Sequence, residues 1–227
     1  MKKGFTLAEV LITLVIIGVI AAMTIPTLIN KTNEQKTVVA VKKAYSTVSQ
    51  AYQKVIAENG EINVSELGNN DSEKTQKMGD MFAKHLSVAK NCGMSTDQDC
   101  FANGDYAYTN GDVITNINND NNFYKIRLTN GMSVVIRSYN KLTLGNNTSL
   151  ENVIGDINID INGDKGPNQL GKDYFNNFIS QTGLIVPTGT PNDNACHISL
   201  CHEFGQGCSA WVIMKGNMDY LRKDVSW

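Results

Sequence analysis

The chain has 227 residues, and its 41% hydrophobic content is ordinary for a protein that buries a core. Its 20 Lys and Arg against 22 Asp and Glu leave a formal charge of -2, so no positive field draws in nucleic acid over distance. Five cysteines, an odd number, leave at least one unpaired within a monomer.

The N-terminus carries the strongest pattern. Lys2 and Lys3 form a short positive end ahead of Gly4-Phe5-Thr6-Leu7-Ala8-Glu9, and residues 10–29 then contain no charged group. As an α-helix those residues span about 30 Å, the thickness of a bilayer's hydrocarbon core. The basic end favours an N-terminus on the cytoplasmic side. An ordinary secretory signal would reach a small-residue cleavage site after its apolar core. Ala21-Ala22-Met23 imitates one, but the apolar run starts almost at once and continues through Pro26 into an amphipathic pattern. Glu9 borders hydrocarbon, where an ionised carboxylate is costly without a partner or water; that makes it a functional candidate, an interfacial wet Glu being the plainer alternative. Pro26 removes one helical donor and favours a kink or local opening. Gly18 and Ala22 share a helix face and permit close backbone approach, although such a pair is also ordinary membrane-helix composition.

Helical spacing persists beyond the apolar run. Val41, Tyr45, Val48, Tyr52 and Val55 recur every three or four residues, and Asn59-Gly60 is a stop signal. A helix over 5–59 would extend about 80 Å, more than membrane crossing requires. Residues 61–76 read as a polar connection and 75–90 as a short helix with Met78, Met81, Phe82, Leu86 and Ala89 on one side. The Asn-, Asp- and Gly-rich stretch 92–122 reads as turns. A hairpin is expected where 123–128 and 132–137 flank Asn130-Gly131, with Lys125 and Arg127 on a solvated basic face and Arg137 nearby. Residues 153–161 alternate as a further strand.

Two clusters in the remaining sequence invite chemistry. Asn158, Asp160, Asn162 and Asp164 place oxygen-bearing side chains at alternate positions around Gly163, with Asp156 and Asp173 able to join if the backbone folds back, as in part of a calcium loop. The twelfth-position Glu of an EF-hand is missing, since Gln169 stands there, and strand alternation would equally place these side chains in water. Cys92 and Cys100 enclose a short polar loop, while Cys196, Cys201 and Cys208 form a second cluster. An exported protein would form Cys92–Cys100 and one bridge within the distal group, with a bridge between clusters the open alternative. Cys196-His197 and Cys201-His202 also suit zinc chemically, but adjacent residues on a strand point apart and export favours oxidation. No nucleophile elbow, complete phosphate loop or zinc-hydrolase motif occurs, so enzymatic activity is not expected.

The run from Gly4 to Ile12 closely resembles the class III signal of type IV pilins and type II secretion pseudopilins, and the resemblance covers approximately residues 4–57. It implies cleavage after Gly4 by a prepilin peptidase and methylation of the new N-terminal Phe5. It also implies that Glu9 pairs with the Phe5 amine of an adjacent subunit in a filament. The segment 160–175 and the closing stretches 210–213 and 216–221 resemble recurring parts of large predicted bacterial pilin-like proteins. The implied fold is α+β and pilin-like: leader 1–4, long helix 5–59 divided into a transmembrane or filament-core part 5–29 and an amphipathic stem 30–59, then a head over 60–227 built on a small antiparallel sheet with loop insertions. The implied partners are the membrane before assembly, the prepilin peptidase, an assembly platform and like subunits; from its charge, the isolated head is expected to bind no nucleic acid. The implied location is the bacterial inner membrane with the head outside the cytoplasm, and later a periplasmic pseudopilus or surface pilus. No cofactor is required, calcium being the candidate because some members order their heads with it. A membrane-anchored, non-polymerising binding module is the alternative.

Overall fold

The longest element is α1 (Leu7–Asn59), 53 residues of unbroken α-helix that continues through Pro26. The computed structural model describes residues 4, 6–145 and 148–227. Two compact units divide the protein, Met1–Lys36 and Thr37–Trp227, so α1 begins in one and ends in the other. In the first unit every large apolar side chain over 10–29 is exposed. The threonine hydroxyls there bond back to helix carbonyls: Thr13 to Val10, Thr24 to Ile20 and Thr27 to Met23, at 2.8, 2.9 and 3.4 Å. Such bonds suit a helix in lipid, where no water is present to satisfy polar groups.

In the second unit α1 changes character. Val38, Val41, Ala44, Val48, Ala51, Tyr52 and Val55 are buried, a single stripe at helical spacing. The helix stops at Gly60, whose φ of 74° is the left-handed cap conformation and whose N–H donates to Ile56 O at 2.8 Å. Next come α2 (Val64–Leu67) and α3 (Asp71–His85). Helix α3 starts earlier and ends earlier than the apolar spacing alone indicates. Asn70 caps it by accepting from Glu73 N at 2.9 Å, and after Leu86 the backbone leaves the helix to form strand β1 (Val88–Gly93).

The remaining strands and α-helices are β2 (Tyr106–Ala107), β3 (Val113–Thr115), β4 (Tyr124–Leu128), β5 (Ser133–Leu142), α4 (Thr148–Glu151), β6 (Val153–Asp160), β7 (Tyr174–Ser180), β8 (Ile185–Pro187), α5 (Leu200–Phe204) and α6 (Cys208–Lys215). Six strands form one antiparallel sheet in the order β1-β4-β5-β6-β7-β8, and β2 pairs with β3 separately. The β4–β5 hairpin turns at Asn130-Gly131, where Gly131 has a φ of 87°.

One face of the sheet presents Ile126, Val134, Ile136, Ile157, Ile159 and Ile179 to the stripe of α1 and to Met78 and Phe82 of α3. Tyr52 stacks on Phe82 at 5.3 Å, and its hydroxyl donates to Ser180 O at 2.8 Å, tying α1 to β7. Alternation sends Val135 and Tyr174 to the opposite face, where Phe101, Tyr106, Ile117 and Leu170 cover them.

That second layer corrects two expectations. Strand β6 is buried along its whole length, including Asp156, Asn158 and Asp160, because the segments after β1 and after β6 fold over the face that alternation alone would leave wet. Lys125 is likewise buried rather than part of a basic surface. Its Nζ donates to Asn118 O at 3.1 Å and Asp120 O at 2.7 Å, and burial lowers its pKa against the opposing pull of Asp120. Arg127 is ion-paired with Asp164.

Gly79 sets how closely α3 approaches the sheet. A Cβ there would fall 2.1 Å from Cγ of Tyr124, whose hydroxyl donates to Asp80 at 2.8 Å and accepts from Asn91 at 2.7 Å. Alanine gains about 1 kcal/mol in helix propensity, but displacing a hydrogen-bonded ring costs about 1–3 kcal/mol in overpacking and more in lost bonds. Gly79→Ala should therefore lower the melting temperature in a circular dichroism melt. An unchanged or higher value would mean that Tyr124 moves freely.

Candidate functional site

The N-terminal site is built on the first turn of α1. Gly4 and Thr6 are exposed, while Phe5 lies outside the described residues. Thr6 N–H and Oγ1–H both donate to Glu9 Oε2, at 2.8 and 2.9 Å, and Glu9 N–H donates to Thr6 Oγ1 at 3.3 Å. This is a capping box: the threonine and the acid three residues on satisfy each other's backbone donors, with the negative charge at the helix end that favours it. The Thr-x-x-Glu spacing is the signal for it in the sequence, and Thr6 is missed when Glu9 is weighed only as an intramembrane charge. Farther along, Gly18 has open space where a Cβ would stand, and Pro26 lies within the exposed apolar helix.

The acidic residues of the distal segment fall into three groups. Asp160 Oδ1 accepts from Asn162 N at 3.0 Å and Gly163 N at 2.8 Å, and its Oδ2 accepts from the Tyr106 hydroxyl. Asp173 accepts from Asn168 N at 2.8 Å, Gln169 N at 2.7 Å and Asn162 Nδ2 at 3.1 Å, so Asn162 bridges the two carboxylates. The second group lies along β6 and β5, where Asp156 accepts from Arg137 at 2.9 and 3.1 Å and, at 3.5 Å, from Asn158. Asp164 is exposed and paired with Arg127. Every carboxylate of the expected calcium loop thus faces a protein donor. Among the described residues no group of three or more His, Cys, Asp and Glu is arranged to hold a metal ion. Among the described residues the buried amide oxygens of Asn162 and Asn168 have no hydrogen-bond partner.

Burial sets the protonation of this network. It pushes Asp160 up to about 6, against the hydrogen bonds from Tyr106, Asn162 and Gly163 that favour the anion. Asp173 is raised for the same reason, against the amides of Gln169 and Asn168. Burial and the neighbouring Asp160 raise the Tyr106 phenol, which keeps it a donor.

The cysteines form two disulfides, Cys92–Cys100 and Cys201–Cys208, with Cα separations of 6.2 and 5.0 Å. Cys196 is a free thiol pushed up to about 12 by burial and by the charge of Asp193, so it is neutral and a poor nucleophile. The Cys-His pairs do not lie on a strand: Cys201 and His202 are in α5, and Cys196 and His197 are in the irregular segment before it. His197 Nδ1 is 2.9 Å from Ser199 Oγ, and His202 Nδ1 donates to Tyr220 O at 2.5 Å.

Comparison with known proteins adds one finding. The prokaryotic N-terminal methylation motif matches residues 1–25. Curated proteins and solved structures give no match. The motif covers Gly4, Phe5, Glu9, Gly18 and the capping Thr6, and the helix it opens is long and apolar enough to cross a membrane. Residues 1–25 thus match the motif that serves type IV pilins and pseudopilins as their class III signal, and the long helix Leu7–Asn59 is followed by an antiparallel sheet of six strands.

Proposed function

We propose that this protein is the precursor of a structural subunit of a type IV pilus or a type II secretion pseudopilus, stored in the inner membrane and assembled through α1. The supporting observation is an unbroken helix whose large apolar side chains over 10–29 are all exposed, opened by the Thr6–Glu9 box and preceded in the sequence by Gly4-Phe5. A helix apolar on every side needs lipid or other apolar helices around it. The same surface serves both states: lipid surrounds it before assembly and neighbouring subunits replace the lipid afterwards. A prepilin peptidase removes residues 1–4 and Phe5 is methylated. In the stored subunit Glu9 accepts from Thr6; in the filament the Phe5 amine of an adjacent subunit replaces that intramolecular donor set. The role is structural, not enzymatic.

Peptide mass spectrometry of the membrane-isolated protein should find a mature form that starts at methylated Phe5. A start beyond Ala22 would rule out the mechanism. Gly4→Ala should retain the leader. Glu9→Gln should be processed normally yet enter filaments poorly beside wild type; equal incorporation would remove the pairing role.

We further infer that the carboxylates of the distal acidic loop are held by protein donors and that the loop requires no cofactor. The melting temperature should stay unchanged on adding millimolar calcium or a chelator, and a calcium-dependent rise would overturn this reading. Because Asp160 keeps its proton up to about pH 6 when folded, whereas an unfolded Asp ionises near its ordinary value of 3.8, the folded protein binds more protons between those limits. Stability should fall as pH rises through that window and then level off. Asp160→Asn keeps the acceptor for both amides and should flatten the fall, by an amount on the order of 1–3 kcal/mol. An identical pH profile in the variant would show that Asp160 does not titrate there.

A further inference from the structure

The sequence contains Asn-Gly at 59–60, 103–104, 110–111, 130–131 and 162–163. Each is chemically able to deamidate, because glycine has no Cβ to keep its amide nitrogen away from the carboxamide carbon of the preceding Asn. Reaction requires that the glycine nitrogen lose its proton and that the Asn carboxamide swing onto it. A hydrogen bond at either group opposes the step.

Four of the five are held. Gly60 N donates to Ile56 O at 2.8 Å while Asn59 Nδ2 donates to Val55 O at 2.8 Å. Gly111 N donates to Tyr108 O at 3.0 Å, and Asn110 is tied to Asp112 through both its oxygen and its nitrogen, at 3.0 and 2.8 Å. Gly131 N donates to Leu128 O at 3.0 Å, and Asn130 Oδ1 accepts from Met132 N at 3.1 Å. Gly163 N donates to Asp160 Oδ1 at 2.8 Å in a buried position, and Asn162 Nδ2 reaches Gly166 O and Asp173. Asn103 and Gly104 differ. Both are exposed, and among the described residues neither the Gly104 nitrogen nor the Asn103 carboxamide has a hydrogen-bond partner. Nothing stands within 4 Å of where a Gly104 Cβ would be.

We propose that Asn103 is a site of spontaneous, water-driven modification of the folded protein. Hydroxide takes the Gly104 amide proton, and the nitrogen attacks Cγ of Asn103. A bond forms between that nitrogen and Cγ, the Cγ–Nδ2 bond of Asn103 breaks, and ammonia leaves with a proton from water, restoring the hydroxide. Water then adds to either carbonyl of the resulting succinimide, opening it to aspartate or isoaspartate. The net change is one water consumed and one ammonia released, with no redox step. The product puts a negative charge beside Asp105, in a loop anchored at Phe101 and Ala102 by the Asn118 amide. Isoaspartate also lengthens the backbone just before the fully buried Tyr106.

The test is incubation of the purified full-length protein in detergent at mildly alkaline pH, followed over days by peptide mass spectrometry and isoaspartyl methyltransferase labelling. Conversion at Asn103 should be about tenfold or more faster than at Asn59, Asn110, Asn130 or Asn162, because a protected amide reacts only from a locally opened state. In the reduced protein unfolded in urea, that preference should disappear. Asn103→Gln should remove the acidic band that develops on isoelectric focusing of the native protein. Equal rates at the five positions in the folded protein, faster conversion at any of the other four, or an inert Asn103 in a protein that reacts when unfolded would each overturn the proposal.

Discussion

The docking of α1's stripe on the sheet is the contact that the second unit depends on. Ala44, Val48, Ala51, Tyr52 and Val55 cover isoleucines and valines from β4, β5, β6 and β7, strands brought together from distant parts of the sequence. Without that cover one side of an antiparallel sheet would expose a continuous apolar face. Hydrogen bonds fix where the contact forms: Tyr45 and Tyr52 reach Ile185 O and Ser180 O at 3.0 and 2.8 Å, and Gln53 reaches Gly183 O at 2.5 Å. All three acceptors lie in or beside the β7–β8 hairpin, so the helix is seated on the end of the sheet farthest in sequence. The same helix therefore has two surfaces, apolar all round over 10–29 and apolar on one stripe beyond residue 37. The change of pattern within one element separates a segment that needs a non-aqueous environment from one that is satisfied by its own fold.

The opposite sheet face solves a different problem. Carboxylates of β6 and of the segment leading into β7 are taken out of water there, which is costly unless each finds donors. Asp156 has Arg137, which also lies over the rings of Phe123 and Tyr139; Asp160 has Tyr106 and two backbone amides; Asp173 has two more. These bonds are directional, whereas the isoleucine face opposite would tolerate sliding. The polar layer thereby pins loops that have few apolar residues of their own.

The legible parts of the fold are those written in local periodicity. The spacing of Val41, Val48, Tyr52 and Val55, the stop at Asn59-Gly60 and the hairpin about Asn130-Gly131 depend on neighbours a few residues away, and the structure carries them close to where the pattern puts them. What is not legible depends on the second layer. Alternating Ile and Asn or Asp along β6 has the form of a half-wet strand, and only the folding of residues 94–122 and 161–227 over it turns Asp160 and Lys125 into interior groups. The distal Cys-His pairs are likewise misplaced by a strand reading, because a five-residue helix closed by a disulfide has too few residues to show a helical period.

Asn-Gly shows how one dipeptide meets opposite demands in this protein. It is used for helix stopping and for turns because both residues accept left-handed backbone conformations, and all five glycines have positive φ, from 68° at Gly163 to 113° at Gly104. The hydrogen bond that closes such a turn uses the glycine N–H, the group whose deprotonation would begin succinimide formation. Turn stability and chemical durability therefore come from a single bond at Gly60, Gly111, Gly131 and Gly163. Gly104 has the conformation without the bond, since its loop is held from the side by Asn118 and by Cys92–Cys100 instead of by a closed turn. A loop can thus be well positioned as a whole while one peptide within it stays open to water.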